Sequence, residues 1–182
     1  MFKFNGQEYN YVDASPNQTR VNERRVEVAL GLAYLEATRG KTVLEVGNVM
    51  RHYVDKGFYT HDILDLDEKN PNFPEIMNKD ILTWQPNKRY QATLSISTLE
   101  HTGNPMLAIA NILSYSDHCF ITMPFVDYPG VEDVYDTYQD LKFMKRLNLE
   151  ENEWREATRE EVKGTQYGTP FPYANAIMIL IR

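Results

Sequence analysis

The sequence has almost no cysteine. Its 182 residues include one, Cys119, so an intrachain disulfide and a zinc site built from several cysteines are both excluded. Cys119 lies in an apolar stretch, which favours a small buried side chain over a reactive nucleophile. The four histidines show neither H-x-x-x-H nor H-x-x-E spacing, so we expect no metal site.

Long apolar runs are also missing. The longest, residues 176–181, is far shorter than the roughly 20 residues of a membrane-spanning helix. Residues 1–6 show neither the apolar segment nor the small-residue cleavage site of a secretory signal. We therefore expect a soluble cytoplasmic protein without a membrane partner.

Basic charge is scarce as well. The 19 Lys and Arg residues are outnumbered by 26 Asp and Glu residues, which gives a net charge of −7. A general nucleic-acid binder needs a basic face, and no run of Lys and Arg supplies one. We therefore expect no nucleic-acid partner, and the sequence leaves the oligomeric state open.

What is present is an ordinary globular composition, with 42% hydrophobic and 25% charged residues. A chain of this length is expected to form one domain with its own core. We interpret residues 1–182 as that domain. Residues 1–40 are an N-terminal arm and helix, and residues 41–182 are an α/β core.

Apolar periodicity predicts alternating strands and helices. Residues 1–20 are predicted to be an irregular arm, and a helix follows from Asn22 to Gly40. Strands are predicted at 42–46, 61–64, 75–77, 92–97, 119–123, 154–162 and 175–182. Helices are predicted at 49–56, 105–113 and 134–145. This order is typical of a mostly parallel α/β sheet. The last two strands have no helix between them, so they are predicted to pair antiparallel.

Polar residues and a glycine stand where the predicted strands end. An open α/β sheet binds its ligand beyond the carboxyl ends of its strands, which points to Gly47, Asp65, Asp80 and residues 97–101. A glycine there lets the backbone approach a ligand closely. An acid after the second strand can accept two hydrogen bonds from a ribose diol. Asp80, after a third strand, stands where an adenine amino group could be recognised.

Four segments, in this order and spacing, carry a family resemblance: Val-Leu-Glu-Val-Gly at 43–47, Ile-Leu-Asp at 63–65, Asn-Lys-Asp-Ile at 78–81 and Leu-Ser-Ile-Ser-Thr-Leu-Glu-His at 94–101. They resemble the motifs of class I S-adenosylmethionine-dependent methyltransferases. Residues 22–27 also resemble small bacterial members, some found with sugar or polysaccharide genes. The resemblance implies a Rossmann-like sheet of about seven strands with an antiparallel last pair and helices on both faces.

The resemblance also implies a cofactor, S-adenosylmethionine, and residues that bind it. The acid and first glycine of the first motif serve the methionine end of the cofactor, the acid of the second binds the ribose, and the third motif reads the adenine. The implied cofactor-binding residues are Glu45, Gly47, Asn48, Asp65, Leu66, Asp80, Ile81, Ser95 and Ser97.

His101 is the predicted catalytic residue. It follows the fourth strand on the ligand side of the sheet, and an imidazole can accept a proton near neutral pH. The alternative is that His101 caps the next helix or bonds a backbone carbonyl. The predicted reaction is methyl transfer to a small polar acceptor, such as a sugar or another hydroxyl or carboxyl compound. Whether oxygen, nitrogen or carbon is methylated stays open.

The glycine loop departs from the family pattern. The family has E/D-x-G-x-G-x-G, whereas this chain has Val49 and Arg51 at the second and third glycine positions. A non-catalytic module that binds S-adenosylmethionine or a nucleotide through a degenerate loop is therefore the alternative function. The absence of G-x-G-x-x-G argues against a nicotinamide enzyme. The N-terminal arm, including Tyr11 and Arg20, is predicted either to cover the pocket or to pack on the sheet.

Overall fold

A computed structural model describes residues 1–14, 16, 19–54, 61–66, 76–125, 129–163, 165 and 174–182. The helices are α1 Arg24–Ala37, α2 Pro105–Tyr115, α3 Val131–Thr137 and α4 Arg159–Val162. The strands are β1 Phe2–Phe4, β2 Gln7–Tyr9, β3 Val43–Val46, β4 His61–Asp65, β5 Ile76–Asn78, β6 Ala92–Ile96, β7 Cys119–Pro124, β8 Lys142–Asn148, β9 Glu153–Ala157 and β10 Ala176–Ile181. Short 3₁₀ turns cover Met50–His52 and Leu99–His101.

Eight strands form one sheet in the order β5-β4-β3-β6-β7-β10-β8-β9. The first five of these are parallel, and we call them the parallel half. The other three, the antiparallel half, pair antiparallel with one another, and β10 also pairs antiparallel with β7. The chain runs outward from β3 to β5 and then returns to β6 on the other side of β3. This reversal is the point where such sheets bind ligands, and the α/β prediction is confirmed.

Helices cover both faces of the sheet. On one face Ile109 and Ile112 of α2 and Val134 of α3 pack with strand residues such as Ile121. On the other face residues of α1 pack against Leu94 and Ile96 of β6 and Phe120 of β7. All residues of β3, β6 and β7 are buried, as expected of parallel strands covered on both sides. No helix among the described residues is long and apolar enough to span a membrane.

The N-terminal arm is less irregular than predicted, because it contains a hairpin of β1 and β2. Asn5 and Gly6, the two residues between the strands, both have positive φ values, 48° and 75°. Asn-Gly is the preferred sequence for a two-residue hairpin turn of this kind. Phe2 and Phe4 are buried. The alternation of Phe-Lys-Phe before Asn-Gly was the signal that the prediction missed.

Three further predictions on secondary structure are wrong or incomplete. The helix predicted at 134–145 ends at Thr137, and β8 begins at Lys142. The strand predicted at 154–162 ends at Ala157, and a capping box at Thr158 starts α4. Of the helix predicted at 49–56 the structure describes residues 49–54, and these contain the 3₁₀ turn Met50–His52 and no α-helix. Residues 55, 56 and 75 and most of the connection at 163–173 lie outside the described residues.

The predicted antiparallel pair at the end of the chain has different partners. The last strand, β10, lies between β7 and β8, and β9 pairs with β8 instead of β10. The inserted neighbour is β8, the segment predicted to be helical. The sheet therefore has one strand more than the seven expected, and its antiparallel half has three strands.

Candidate functional site

A cavity of about 160 Å³ opens where the parallel strands end. It lies at the point where the strand order reverses, between the ends of β3 and β4 and the loops after β5 and β6. The described residues that line it are Val46, Gly47, Leu64, Asp65, Leu66, Lys79, Ile81, Thr98, His101 and Thr102. The structure thus brings together five of the predicted site residues: Gly47, Asp65, Leu66, Ile81 and His101.

Gly47 is a position where only glycine fits. Its φ is +86°, and a Cβ atom added there would lie 2.1 Å from Thr98 Oγ1. The Gly47 N–H donates to the carbonyl of Leu64 at 2.8 Å, which ties the end of β3 to β4. Thr98 therefore closes over the glycine backbone at one wall of the cavity. Thr98 belongs to the segment 97–101 that was expected at this edge of the sheet, but no role was predicted for it.

Glu45 is buried and holds the loop after β3. Its Oε1 accepts hydrogen bonds from the N–H groups of Val49 and Met50, at 2.7 and 2.6 Å. Its Oε2 lies 2.9 Å from Nε2 of His61 on the neighbouring strand. Both carboxylate oxygens therefore have partners within the protein, and Glu45 is not among the described lining residues.

Val49, which stands at the second glycine position of the motif, is buried on the side of the loop that faces α1. Val49 and its neighbour Met50 are buried in the apolar cluster that α1 covers. Met50 packs against Gly31 of α1, where an added Cβ would come within 2.9 Å of the Met50 sulfur. The loop therefore anchors itself to α1 through Val49 and Met50. Asn48 lies between Gly47 and this anchor, and its Oδ1 is buried with no hydrogen-bond partner among the described residues.

Asp65 is the last residue of β4 and Leu66 follows it, whereas Asp80 and Ile81 follow β5. Leu66 is 58% exposed, whereas Ile81 is 3% exposed. The Oδ1 of Asp80 accepts from the N–H of Leu82 at 2.8 Å, so one oxygen of this carboxylate caps its own turn. Asp80 is not among the described lining residues, although Lys79 and Ile81 on either side of it are.

Ser95 and Ser97 are bonded within the fold. The Ser95 hydroxyl donates to the Val46 carbonyl at 2.8 Å. The Ser97 hydroxyl donates to Glu27 of α1 at 2.6 Å, and Ser97 has a φ of +38°. Neither serine is among the described residues that line the cavity. The role of Ser97 at this edge is to join β6 to α1, together with Arg24, whose guanidinium donates to the Ile96 carbonyl at 3.0 Å.

His101 lines the cavity at the end of the turn after β6. Its side chain is 61% exposed, and its Nε2 lies 3.6 Å from Oε1 of Glu100. Partial burial and the nearby Arg24 lower the pKa of His101 below its usual value, so the ring is neutral at pH 7. Asn104, not His101, caps α2, because its Oδ1 accepts from the N–H of Leu107 at 3.0 Å.

Glu100 lies beneath His101 and is only 4% exposed. Burial raises the pKa of its carboxyl to about 8, with a further contribution from the charge of Glu27. Its Oε2 has no hydrogen-bond partner among the described residues. Glu23, the residue directly before α1, has a pKa raised to about 7 by burial and by the charge of Glu27. Glu100, which follows β6, and the neighbouring Glu23 therefore both remain partly protonated near neutral pH.

The hairpin of the N-terminal arm packs on the sheet rather than over the cavity. The Tyr11 hydroxyl accepts a hydrogen bond from the N–H of Trp154 on β9, and the Arg25 guanidinium lies 3.9 Å from the Tyr11 ring centre. Trp154 belongs to the far edge of the sheet from β4 and β5. Arg20 is exposed. Neither Tyr11 nor Arg20 is among the described lining residues.

Across the part of the chain that the structure describes, no three or more His, Cys, Asp or Glu side chains are grouped so that they could hold a metal ion. No family model matches the sequence, and no curated protein matches it either.

The fold, in contrast, is found among solved structures. The N-methyltransferase NodS from Bradyrhizobium japonicum is 12% identical, with a TM-score of 0.51 over 93% of this chain and 97% of that chain. Thermoplasma acidophilum 1320 is 11% identical, with a TM-score of 0.51 over 85% and 86%. Coclaurine N-methyltransferase is 16% identical, but the match spans 64% of this chain and only 40% of that one, with a TM-score of 0.40. With its mostly parallel sheet and reversed strand order, the chain has a Rossmann-like fold similar to that of the methyltransferase NodS.

Proposed function

We propose that the protein binds S-adenosylmethionine in the cavity at the ends of β3 and β4 and transfers its methyl group to a small polar acceptor. The observation that carries the proposal is the cavity itself. It collects Gly47, Asp65, Leu66, Ile81 and His101 at the strand reversal, in the order that the family motifs assign to the ends of the cofactor. The acceptor class we propose is a sugar or another hydroxyl or carboxyl compound.

The residues present fit the cofactor at both ends. Asp65 would accept hydrogen bonds from the ribose diol, and the exposed Leu66 and the buried Ile81 would pack against the adenine. At the other end, the close approach at Gly47 and the unpartnered Asn48 Oδ1 suit a polar chain with hydrogen-bond donors. The cavity of about 160 Å³ is smaller than the roughly 300–1,000 Å³ of ligand pockets.

The chemistry asked of the protein is modest. The cofactor supplies a methyl group already activated on a sulfonium, so the chain mainly has to align the acceptor and exclude water. A hydroxyl acceptor also needs a base to take its proton, whereas a carboxyl acceptor is already ionised near neutral pH. We propose His101 for this role, because it lines the cavity and its ring is neutral and able to take a proton at pH 7.

The alternative function is a module that binds S-adenosylmethionine or a nucleotide without turnover. The changed glycine loop, with Val49 and Arg51 at two glycine positions, favours it. The burial of Val49 in the α1 cluster weakens it, since that side chain does not crowd the ligand. Binding without methyl transfer to any acceptor would decide for this alternative.

Titration calorimetry with S-adenosylhomocysteine tests the binding site. We expect the wild-type protein to bind, and Asp65→Ala to lose about 1.5–3 kcal/mol, the value of hydrogen bonds to a charged group. Asp117→Ala, on an exposed carboxylate that pairs with Arg89, is the matched control and should bind normally. Unchanged affinity in Asp65→Ala would remove this residue from the site.

A rate measurement on a verified acceptor tests His101. A general base contributes about 10²–10⁴-fold, so His101→Ala should lower turnover by that factor while the affinity for S-adenosylhomocysteine stays nearly intact. A variant that loses binding together with rate, or that keeps its full rate, would show that His101 is structural.

We also propose that residues 1–182 act as a single domain. Both apolar clusters pack against the same eight-stranded sheet, one on each face. Neither half of the sheet has a core of its own.

A further inference from the structure

Two polar side chains at the end of β3 could receive the amino-acid end of the cofactor. The family resemblance gives this role to Glu45. In the structure, however, Glu45 Oε1 accepts two backbone hydrogen bonds and Oε2 lies 2.9 Å from His61. The carboxylate is 1% exposed. A ligand ammonium would therefore have to displace bonds that hold the loop and β4 in place.

Asn48 differs from Glu45 because its side-chain oxygen accepts no hydrogen bond from the described residues. Its Oδ1 is shielded from solvent and has no hydrogen-bond partner among the described residues. Buried polar atoms in native proteins are nearly always paired. Such an atom costs free energy in the ligand-free protein, and a bound donor recovers it.

Asn48 lies next to the cavity in the chain, although it is not among the described residues that line it. Asn48 directly follows Gly47, which lines the cavity and has a φ of +86°. On its other side the chain is fixed by Val49 and Met50, which are buried against α1. Asn48 is thus held between a residue that lines the cavity and an anchored turn, which restricts where its amide can move.

We propose that Asn48, and not Glu45, pairs with the amino-acid end of the bound cofactor, its amide oxygen accepting from the ammonium group. This inference rests on the proposed function, because it presupposes an adenosyl ligand in the cavity. Glu45 acts instead on the loop, holding the N–H groups of Val49 and Met50. An amide also carries N–H donors, so the same side chain can reach the ligand carboxylate.

Two ligands that differ only at this end test the proposal. S-adenosylhomocysteine carries the amino-acid group, whereas 5′-methylthioadenosine has the same nucleoside without it. Calorimetry should show that the wild-type protein binds S-adenosylhomocysteine more tightly. Asn48→Ala should weaken S-adenosylhomocysteine by about 10- to 100-fold, the loss expected for a hydrogen bond to a charged group. The affinity for 5′-methylthioadenosine should change by less than about threefold.

Glu45→Gln is the matched control. The amide keeps Oε1 for the two N–H groups and places an N–H donor opposite His61, so the loop can keep its shape. The ratio of the two affinities should equal that of the wild type. Asn48→Ser gives the same comparison as Asn48→Ala should the alanine variant not fold.

The outcomes separate the two proposals. If the wild-type protein binds neither ligand, the proposed function fails, and this inference fails with it. If it binds both but Asn48→Ala changes both affinities equally, or neither, only the role of Asn48 is overturned. A selective loss of S-adenosylhomocysteine in Glu45→Gln would return the role to Glu45.

Discussion

The parallel and antiparallel halves of the sheet differ in strand burial and in whether they contain the cavity. The parallel half carries the cavity, and its central strands are buried on both faces. The antiparallel half has partly exposed strands, β8 and β9, and its outer edge is packed by the N-terminal hairpin. The candidate site therefore lies where the strands end in loops at a reversal of strand order, and the other half completes the core.

The difference shows why one half was predicted well. A strand buried on both faces is a short apolar run, and β3, β6 and β7 were predicted within one residue of their bounds. In β8, by contrast, Lys142, Lys145 and Arg146 interrupt the apolar residues. The apolar spacing from Val134 to Met144 therefore fits two structures equally well. One is a single long helix, and the other is a short helix followed by a turn and a strand. Periodicity alone cannot resolve such a segment.

The largest effect is expected in the parallel half, at Gly47. Gly47→Ala forces an L side chain to a φ of +86° and puts its Cβ about 2.1 Å from Thr98 Oγ1. Strain at a positive φ costs about 1–3 kcal/mol, and overpacking costs about 1–3 kcal/mol more. Chemical denaturation should therefore show a loss of roughly 2–6 kcal/mol, and calorimetry should show no binding of S-adenosylhomocysteine.

The double variant Gly47→Ala with Thr98→Gly separates the two causes. Removing the Thr98 side chain takes away the steric overlap but leaves the strained φ, so about half of the lost stability should return. Gly40→Ala is the control for backbone strain alone, because Gly40 has a φ of +82° with nothing within 4 Å of the added Cβ. Equal losses in Gly47→Ala and Gly40→Ala would mean that Thr98 does not press on this glycine.

The candidate site was predictable only in part. The four motif segments located Gly47, Asp65, Ile81 and His101, because strand ends at a sheet edge are visible as apolar runs followed by a glycine or a polar residue. The engagement of Glu45 by His61 was not predictable, since it depends on the register between β3 and β4. The hydrogen bonds of Ser95 to Val46 and of Ser97 to Glu27 were not predictable either, because they depend on how β6 lies against β3 and α1. Sequence shows which residues are at an edge, but not which way each side chain turns.

The next largest effect concerns pH. Glu100 has a pKa raised to about 8 in the folded protein, against about 4.5 without burial. A folded state that binds the proton more tightly than the unfolded state loses stability as pH rises between these two values. The free energy of unfolding that protonated Glu100 contributes is fully present below about pH 4.5. It falls as pH rises to about 8 and stays constant above that pH. Glu100→Gln should remove this decline and be more stable than the wild type at pH 8.5 by about 2–4 kcal/mol.

Thermal melts from pH 5 to pH 9 measure this effect. The stability of Glu100→Gln should still fall with rising pH because of Glu23, but this smaller fall should end near pH 7, since the pKa of Glu23 is raised to about 7. Glu161→Gln is the control, since its exposed carboxyl has a lowered pKa and cannot produce a decline in this range. Parallel melting curves for wild type and Glu100→Gln across the range would contradict the assignment.

The smallest effect compares matched tyrosines in the two halves. Tyr11 lies against the antiparallel half, where its hydroxyl accepts a 2.9 Å hydrogen bond from the N–H of Trp154 on β9. In the parallel half the Tyr90 hydroxyl donates to Asp62 at 2.8 Å. Tyr11→Phe and Tyr90→Phe each remove one hydroxyl and keep the ring. Tyr11→Phe should cost about 0.5–1.5 kcal/mol in chemical denaturation, and Tyr90→Phe about 1.5–3 kcal/mol, because the partner of Tyr90 is a carboxylate. Tyr11→Phe should leave the affinity for S-adenosylhomocysteine unchanged, because the hairpin packs on β9 and not over the cavity. A loss of affinity in Tyr11→Phe without a loss in Tyr90→Phe would mean that the arm covers the ligand after all, and that the two halves of the sheet share the site.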